Sequence, residues 1–250
     1  MAPWCSVSLL GFSLEFPGLH PPSLAWGLTP MEERHIEVAK TARYFTLGDV
    51  GPDTKQLWIV CHGYRQLAKR FMRWFSALDD GTQFIVAPEG LSRFYLDDGT
   101  REHGAGDPIG STWMTREDRL NEIHDYVRYL DAVLAEAKQL MSRPPETLIV
   151  LGFSQGVHTA CRWVVAGKMD VSRLICWGAY PPDDLDGERG PSRLTDTDMV
   201  LVRGAADPFV SEEGHQRQED RLTTMAIPFR TLEHPGGHDL DPDLLRELAR

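Results

Sequence analysis

Residues Thr147 to Gly167 read TLIVLGFSQGVHTACRWVVAG. Leu148, Ile149, Val150, Leu151 and Phe153 form an apolar run, mostly β-branched or aromatic, broken only by Gly152. Such a run predicts a strand buried on both faces, as in parallel sheets. Beyond Ser154 the period changes. Val157, Ala160, Cys161, Val164 and Val165 recur at helical spacing, so a helix begins almost where the strand stops. The junction Gly152-Phe153-Ser154-Gln155-Gly156 is a G-x-S-x-G at a strand-to-helix turn. A turn this sharp strains the backbone at Ser154, and side chains at Gly152 or Gly156 would collide with the neighbouring elements. The Ser154 hydroxyl is then lifted above the sheet, beside the N–H groups of the helix start. An ordinary glycine-rich turn carries the same glycines, so the residues downstream decide between the two readings.

A serine hydroxyl is a poor nucleophile without a base, and the base needs a group to orient it. Met199–Val202 reads as a strand, and the loop after it, Arg203-Gly-Ala-Ala-Asp-Pro-Phe-Val210, carries Asp207. The bland alternative is an Asp-Pro turn. Phe229–Leu232 reads as a last short strand, followed by Glu233-His-Pro-Gly-Gly-His238. His238 is the expected base and His234 its rival; the two glycines before His238 let that loop approach the serine. An oxyanion requires two N–H donors. Gln155 supplies one, and Tyr64, in His62-Gly63-Tyr64, is the candidate for the other. His62 itself reads as an anchor for that loop.

Further elements surround this frame. An alternating stretch from His35 to Phe45 reads as an edge strand, and Leu57–Cys61 as a buried strand. Gln66–Leu78 is expected to be a helix and Gln83–Ala87 a strand. Pro88–Ser111 is a long polar, glycine-rich connection of the kind that often serves function. Arg116–Met141 is a helix whose stripe Leu120, Ile123, Val127, Leu130, Leu134, Ala137 and Met141 predicts core packing. Arg173–Trp177 adds a strand, and Ser211–Thr224 and Asp241–Arg250 add helices. Strands alternating with helices imply an α/β class with a mostly parallel central sheet covered on both faces.

The chain has 250 residues, enough for one substantial core, expected as a single catalytic domain over residues 31–250. Its net charge of −11 argues against nucleic acid or an anionic membrane as a main partner. Cys5, Cys61, Cys161 and Cys176 form no C-x-x-C or metal-like grouping, which suits buried free thiols in a reducing, cytoplasmic setting. No apolar run is long enough to span a membrane. Residues 1–30 hold five prolines, no Lys or Arg, and Glu15 as their one acidic residue. They read as a disordered leader or upstream extension, with a weak export signal as the alternative.

The stretches HGY, GFSQG, GAADPFV and GGH resemble, in order and spacing, the phospholipase/carboxylesterase family of serine esterases, which includes the acyl-protein thioesterases. The resemblance covers roughly Leu57 to the C-terminus. It implies an α/β-hydrolase fold, no cofactor, and hydrolysis of carboxylic esters or thioesters. By motif position Ser154 is then the nucleophile, Asp207 the acid and His238 the base, with Tyr64 and Gln155 on the oxyanion. Two features depart from the family. Arg65 replaces the second glycine of the HGYGQ-like loop, and Pro88–Ser111 differs from the usual acyl-binding region. Its charged residues predict a short acyl group, with Trp113 and Met114 as candidate pocket residues. A thioesterase or lysophospholipase for longer chains, a peptidase or lactone hydrolase, and a non-catalytic binding protein are the competing readings; the oligomeric state is left open. No metal site is expected, because Pro-Gly-Gly between His234 and His238 forbids the helix a zinc pair needs. Gly104–Gly110 has the wrong spacing for a dinucleotide fingerprint.

Overall fold

The computed structural model describes residues 31–97, 99–167, 169–185 and 190–250; the leader, the export reading and Cys5 lie outside the described residues. The chain divides between Lys40 and Thr41, and residues 31–40 are exposed, without helix or strand. The edge strand expected from His35 is therefore confined to β1, Tyr44–Leu47. The alternation between His35 and Ala42 is too polar to bury a face.

The larger unit is built on seven strands: β1, β2 (Gln56–Cys61), β3 (Gln83–Pro88), β6 (Thr147–Phe153), β7 (Arg173–Trp177), β8 (Asp198–Gly204) and β9 (Phe229–His234). Their spatial order is β1-β3-β2-β6-β7-β8-β9, and only β1 runs antiparallel to its neighbour. β6 lies at the centre, between β2 and β7.

The apolar runs divide face by face, as a period of two demands. Leu57, Ile59, Cys61, Leu148, Val150, Leu174, Cys176, Met199 and Leu201 join one buried cluster. Trp58, Val60, Ile149, Leu151, Phe153, Ile175, Trp177, Val200 and Val202 join the other. The first is covered by α2 (Arg119–Leu140), α3 (Gln155–Ala166) and Leu222 of α5 (Glu212–Thr224). The second is covered by α1 (Ala68–Phe71), the 3₁₀ turn Met72–Leu78 that continues it, and α6 (Pro242–Leu248). The helix expected over Gln66–Leu78 is thus mostly 3₁₀. A short helix, α4 (Gly190–Leu194), and a 3₁₀ turn at Asp183–Leu185 have no counterpart in the sequence reading.

Pro88–Ser111 is not wholly irregular. β4 (Ser92–Tyr95) pairs antiparallel with β5 (Ile109–Thr112), and residues 96–108 cross between them. Among the described residues, no helix is long and apolar enough to cross a membrane.

Candidate active site

All the sequence-derived site residues except Trp113 and Met114 sit on loops or helix starts at the carboxyl end of the parallel strands, where open α/β sheets form their crevice. Ser154 follows β6 directly and has φ 52° and ψ −120°. That is left-handed territory for a non-glycine residue, held at a cost of about 1–3 kcal/mol. Its N–H donates to Trp177 O (2.9 Å), which pins the turn to β7. The flanking glycines are required by space. A Cβ at Gly152 would stand 2.4 Å from Gly156 O, and one at Gly156 only 2.1 Å from Cys61 O.

β8 and β9 deliver the two partners. The loop after β8 places Asp207, whose side chain is 1% exposed, so that Oδ1 accepts from Phe209 N–H (2.8 Å). Its Oδ2 lies 2.7 Å from His238 Nδ1. The His238 ring is held between Phe153 (centroids 4.9 Å apart) and Phe209 (4.8 Å, edge-on). With Nδ1 bound to the carboxylate, Nε2 is the ring atom left to face the cavity that Ser154 and His238 both line. His234 lies elsewhere. It is buried against Trp177 (5.5 Å), and its Nδ1 accepts from Gly236 N–H (3.2 Å).

On the other side of Ser154 stands the loop after β2. Gly63 N–H donates to Gln66 Oε1, Arg65 N–H to Ser111 O, and Gln66 N–H to Gly63 O. Tyr64 N–H has no such acceptor among the described residues, and its ring, half exposed, stacks on Phe94 (5.5 Å). Arg65 adopts φ 68°, the conformation a glycine would take most cheaply. The departure from the family's loop thus changes the residue and keeps a backbone shape that favours glycine. Gln155 N–H opens α3, where the first amides have no intrahelical acceptor. Its side chain is tethered, with Nε2 donating to Met114 O (2.9 Å) and Oε1 accepting from Trp113 N–H (3.2 Å).

His62 is an anchor in geometry as well as in sequence. It is fully buried; Nδ1 donates to Gly63 O (2.8 Å), and Nε2 accepts from Gly90 N–H (3.0 Å). That tautomer is the one a neutral ring requires, since the amide can only donate. Burial lowers its pKa to about 4. Trp113 stacks on it at 4.9 Å and donates from Nε1 to His62 O (2.8 Å).

Trp113 and Met114 are the misplaced residues. Neither lines the cavity at Ser154, and Trp113 is 2% exposed in the core against Tyr126. Indole nitrogen and ring both find partners in the interior, so the side chain turns inward. The cavity, about 610 Å³, opens instead toward the loop after β7 and toward α3, with Tyr180, Pro181, Asp184, His158, Arg162 and Phe209 in its wall. His158 and Arg162 escaped the sequence reading although they stand four and eight residues from Ser154, the spacing of one helix face.

The fold matches that of a broad set of solved structures. A carboxylesterase from Mesorhizobium loti is similar with a TM-score of 0.61 at 17% identity, over 83% of this chain and 94% of that one. Zea mays acyl-protein thioesterase 2 gives 0.59 at 16% identity, over 83% and 96%. Esterase PE8 gives 0.57 at 20% identity, over 83% and 99%. The chain has the α/β-hydrolase fold. No family model matches the sequence, and no curated protein is significantly similar to it.

Proposed function

We propose that this α/β-hydrolase is a serine esterase of the phospholipase/carboxylesterase type, acting on small carboxylic esters through an acyl-enzyme. The observation that carries the reading is the joint presence of a strained serine at the β6–α3 elbow and an Asp207–His238 pair of 2.7 Å on the loops after β8 and β9. In this reading His238 Nε2 takes the proton of Ser154 as Oγ attacks the acyl carbonyl. Asp207 holds the imidazole in the tautomer that leaves Nε2 unprotonated and stabilises the imidazolium that follows. The N–H groups of Tyr64 and Gln155 receive the oxyanion. After the alcohol leaves with the proton from His238, the same imidazole activates water, and the second tetrahedral intermediate collapses to acid and free serine.

The wall of the cavity favours small acyl groups over long ones. A long chain gains about 0.8 kcal/mol for each methylene buried against apolar atoms, and charged groups oppose it. Here Arg119, Arg162, Asp183 and Asp184 lie in the wall. Thioesters of short acids fit the same machinery. The neighbours include both esterases and an acyl-protein thioesterase.

The decisive experiment is labelling with a serine-directed fluorophosphonate. Wild-type protein should label stoichiometrically and Ser154→Ala not at all; an unlabelled wild type would point to a binding protein that keeps the fold. Rates on p-nitrophenyl esters should peak at short acyl lengths, about two to six carbons, and an optimum at palmitoyl length would instead indicate a lipid-directed thioesterase or lysophospholipase.

A further inference from the structure

Ser154, His158 and Arg162 follow one another at successive turns of the same helix and all line the cavity. Along α3 they stand roughly 6 and 12 Å beyond the serine, and an arginine side chain leans back toward the helix N-terminus. The Arg162 guanidinium therefore reaches over the His158 turn. It is 10% exposed and holds Asp184 through Nε (3.0 Å). Arg119 bonds the same carboxylate from α2. Burial alone would raise the Asp184 pKa, but hydrogen bonds from Arg162 and Arg119 outweigh it and keep the carboxyl below its usual range.

Two guanidinium groups thus share one carboxylate, leaving a surplus positive charge; Arg162 Nη1 donates to Met114 Sδ (3.4 Å), so the spare N–H donors are those of Arg119. Asp183, the other acidic residue of the wall, lies 3.6 Å from a third guanidinium, Arg221, which offsets it, so three arginines face two aspartates and one positive charge is left over. His158 is kept neutral by burial and by Arg162, so it faces the cavity as a hydrogen-bonding group without charge. In a chain of net charge −11, such a spot beside a nucleophile is selective for negative charge.

We infer that this wall receives an anionic group of the substrate, a carboxylate set a few bonds from the scissile ester. The inference rests on the esterase reading for the word substrate, while the anion subsite itself stands on the Arg119–Asp184–Arg162 geometry. Its selectivity comes from Arg119. Arg162 and Asp184 alone form a neutral pair, and Arg119 supplies the excess charge.

Binding to the Ser154→Ala protein separates the two readings, because it needs no turnover. Monomethyl adipate, with the carboxylate on the acyl side, is titrated against dimethyl adipate. Then 5-acetoxypentanoate, with the carboxylate on the alcohol side, is titrated against its methyl ester. At least one acid should bind tenfold or more tighter than its neutral ester, and the arm that does so tells which side of the ester bears the charge. Arg119→Gln should reduce that preference to less than threefold, whereas Asp184→Asn should increase it. Equal affinities in both pairs, or no change on either substitution, would overturn the anion subsite even where fluorophosphonate labels Ser154. Discrimination without any labelling of the wild type would instead retire the esterase and leave an anion-binding cavity.

Discussion

His238 and His234 show how four residues of separation produce different chemistry. His238 meets a buried carboxylate, and His234 meets Trp177 and a backbone amide. His238→Ala and Ser154→Ala should each lower kcat by about 10⁴-fold or more, and the double variant should be little worse, because nucleophile and base act as a unit. His234→Ala should leave kcat within a few-fold and reduce stability by about 1–3 kcal/mol, measured by urea unfolding. A loss of kcat equal to that of His238→Ala, in folded protein, would reassign the base. His62 makes a prediction in pH. Its folded pKa, about 4, lies below the usual value of 6.5. The unfolded chain therefore binds the proton first as pH falls, and stability is lost from about pH 6.5 downward until the folded ring also protonates near pH 4. The full loss is about 3 kcal/mol. Unfolding at pH 7.5 and 4.5 should show His62→Gln, though weaker at the higher pH, losing less between the two. An equal loss in both proteins would place the acid sensitivity elsewhere. Trp113, read from sequence as a pocket residue, sits in the core instead, so Trp113→Ala should cost about 3–5 kcal/mol by emptying that site.

The elements were legible where a single period governs. β2, β6, β7 and β8 are continuous apolar runs because both faces of the sheet are covered. The α2 stripe packs inward from Ile123 to Met141, while Leu120 at its start is exposed and Tyr126 and Val133 join the buried face. Legibility failed where tertiary contacts set the conformation. The segment after Gln66 has apolar residues at helical spacing, yet only Ala68–Phe71 is α-helical and the following turns are 3₁₀. β4 and β5 are four residues each, with polar positions along both, so nothing local announced their pairing across residues 96–108. The loop after β2 is a case where the sequence departs and the backbone does not. Arg65 is exposed and takes φ 68°, while its N–H is fixed to Ser111 O (3.0 Å). A left-handed non-glycine residue costs about 1–2 kcal/mol, and glycine's own chain entropy returns part of that. Arg65→Gly should therefore raise stability by about 0.5–1 kcal/mol. A fall in the urea midpoint would show that the arginine side chain itself holds the loop.

At the scale of the whole molecule, the candidates Ser154 and Asp207 were readable because each lies just beyond a strand whose apolar run marks its end, and His238 because two glycines precede it after the short strand β9. The cavity wall was not, since Arg119, Arg162 and Asp184 come from two helices and a loop that only the folded sheet brings together. The same sheet bounds what the chain needs in order to fold. Among the described residues, every buried member of the two clusters falls between Leu57 and Ala249, and the strand at the sheet edge begins at Tyr44. Residues 31–40 belong to the other unit and are exposed throughout. Apolar area removed from water is what stabilises a domain, at about 25 cal/mol per Å², and among the described residues before Leu57 the ones packed on these clusters are Tyr44, Phe45 and Leu47, all in β1. A chain beginning at Met31 should accordingly keep the melting temperature and kcat/KM of the full chain. For a domain of this size each kcal/mol lost would appear as about 2–4 °C in Tm, so the comparison is sensitive. A drop of several degrees on removing residues 1–30 would mean that the leader buries apolar surface on the domain, and the division at Lys40 would have to be redrawn.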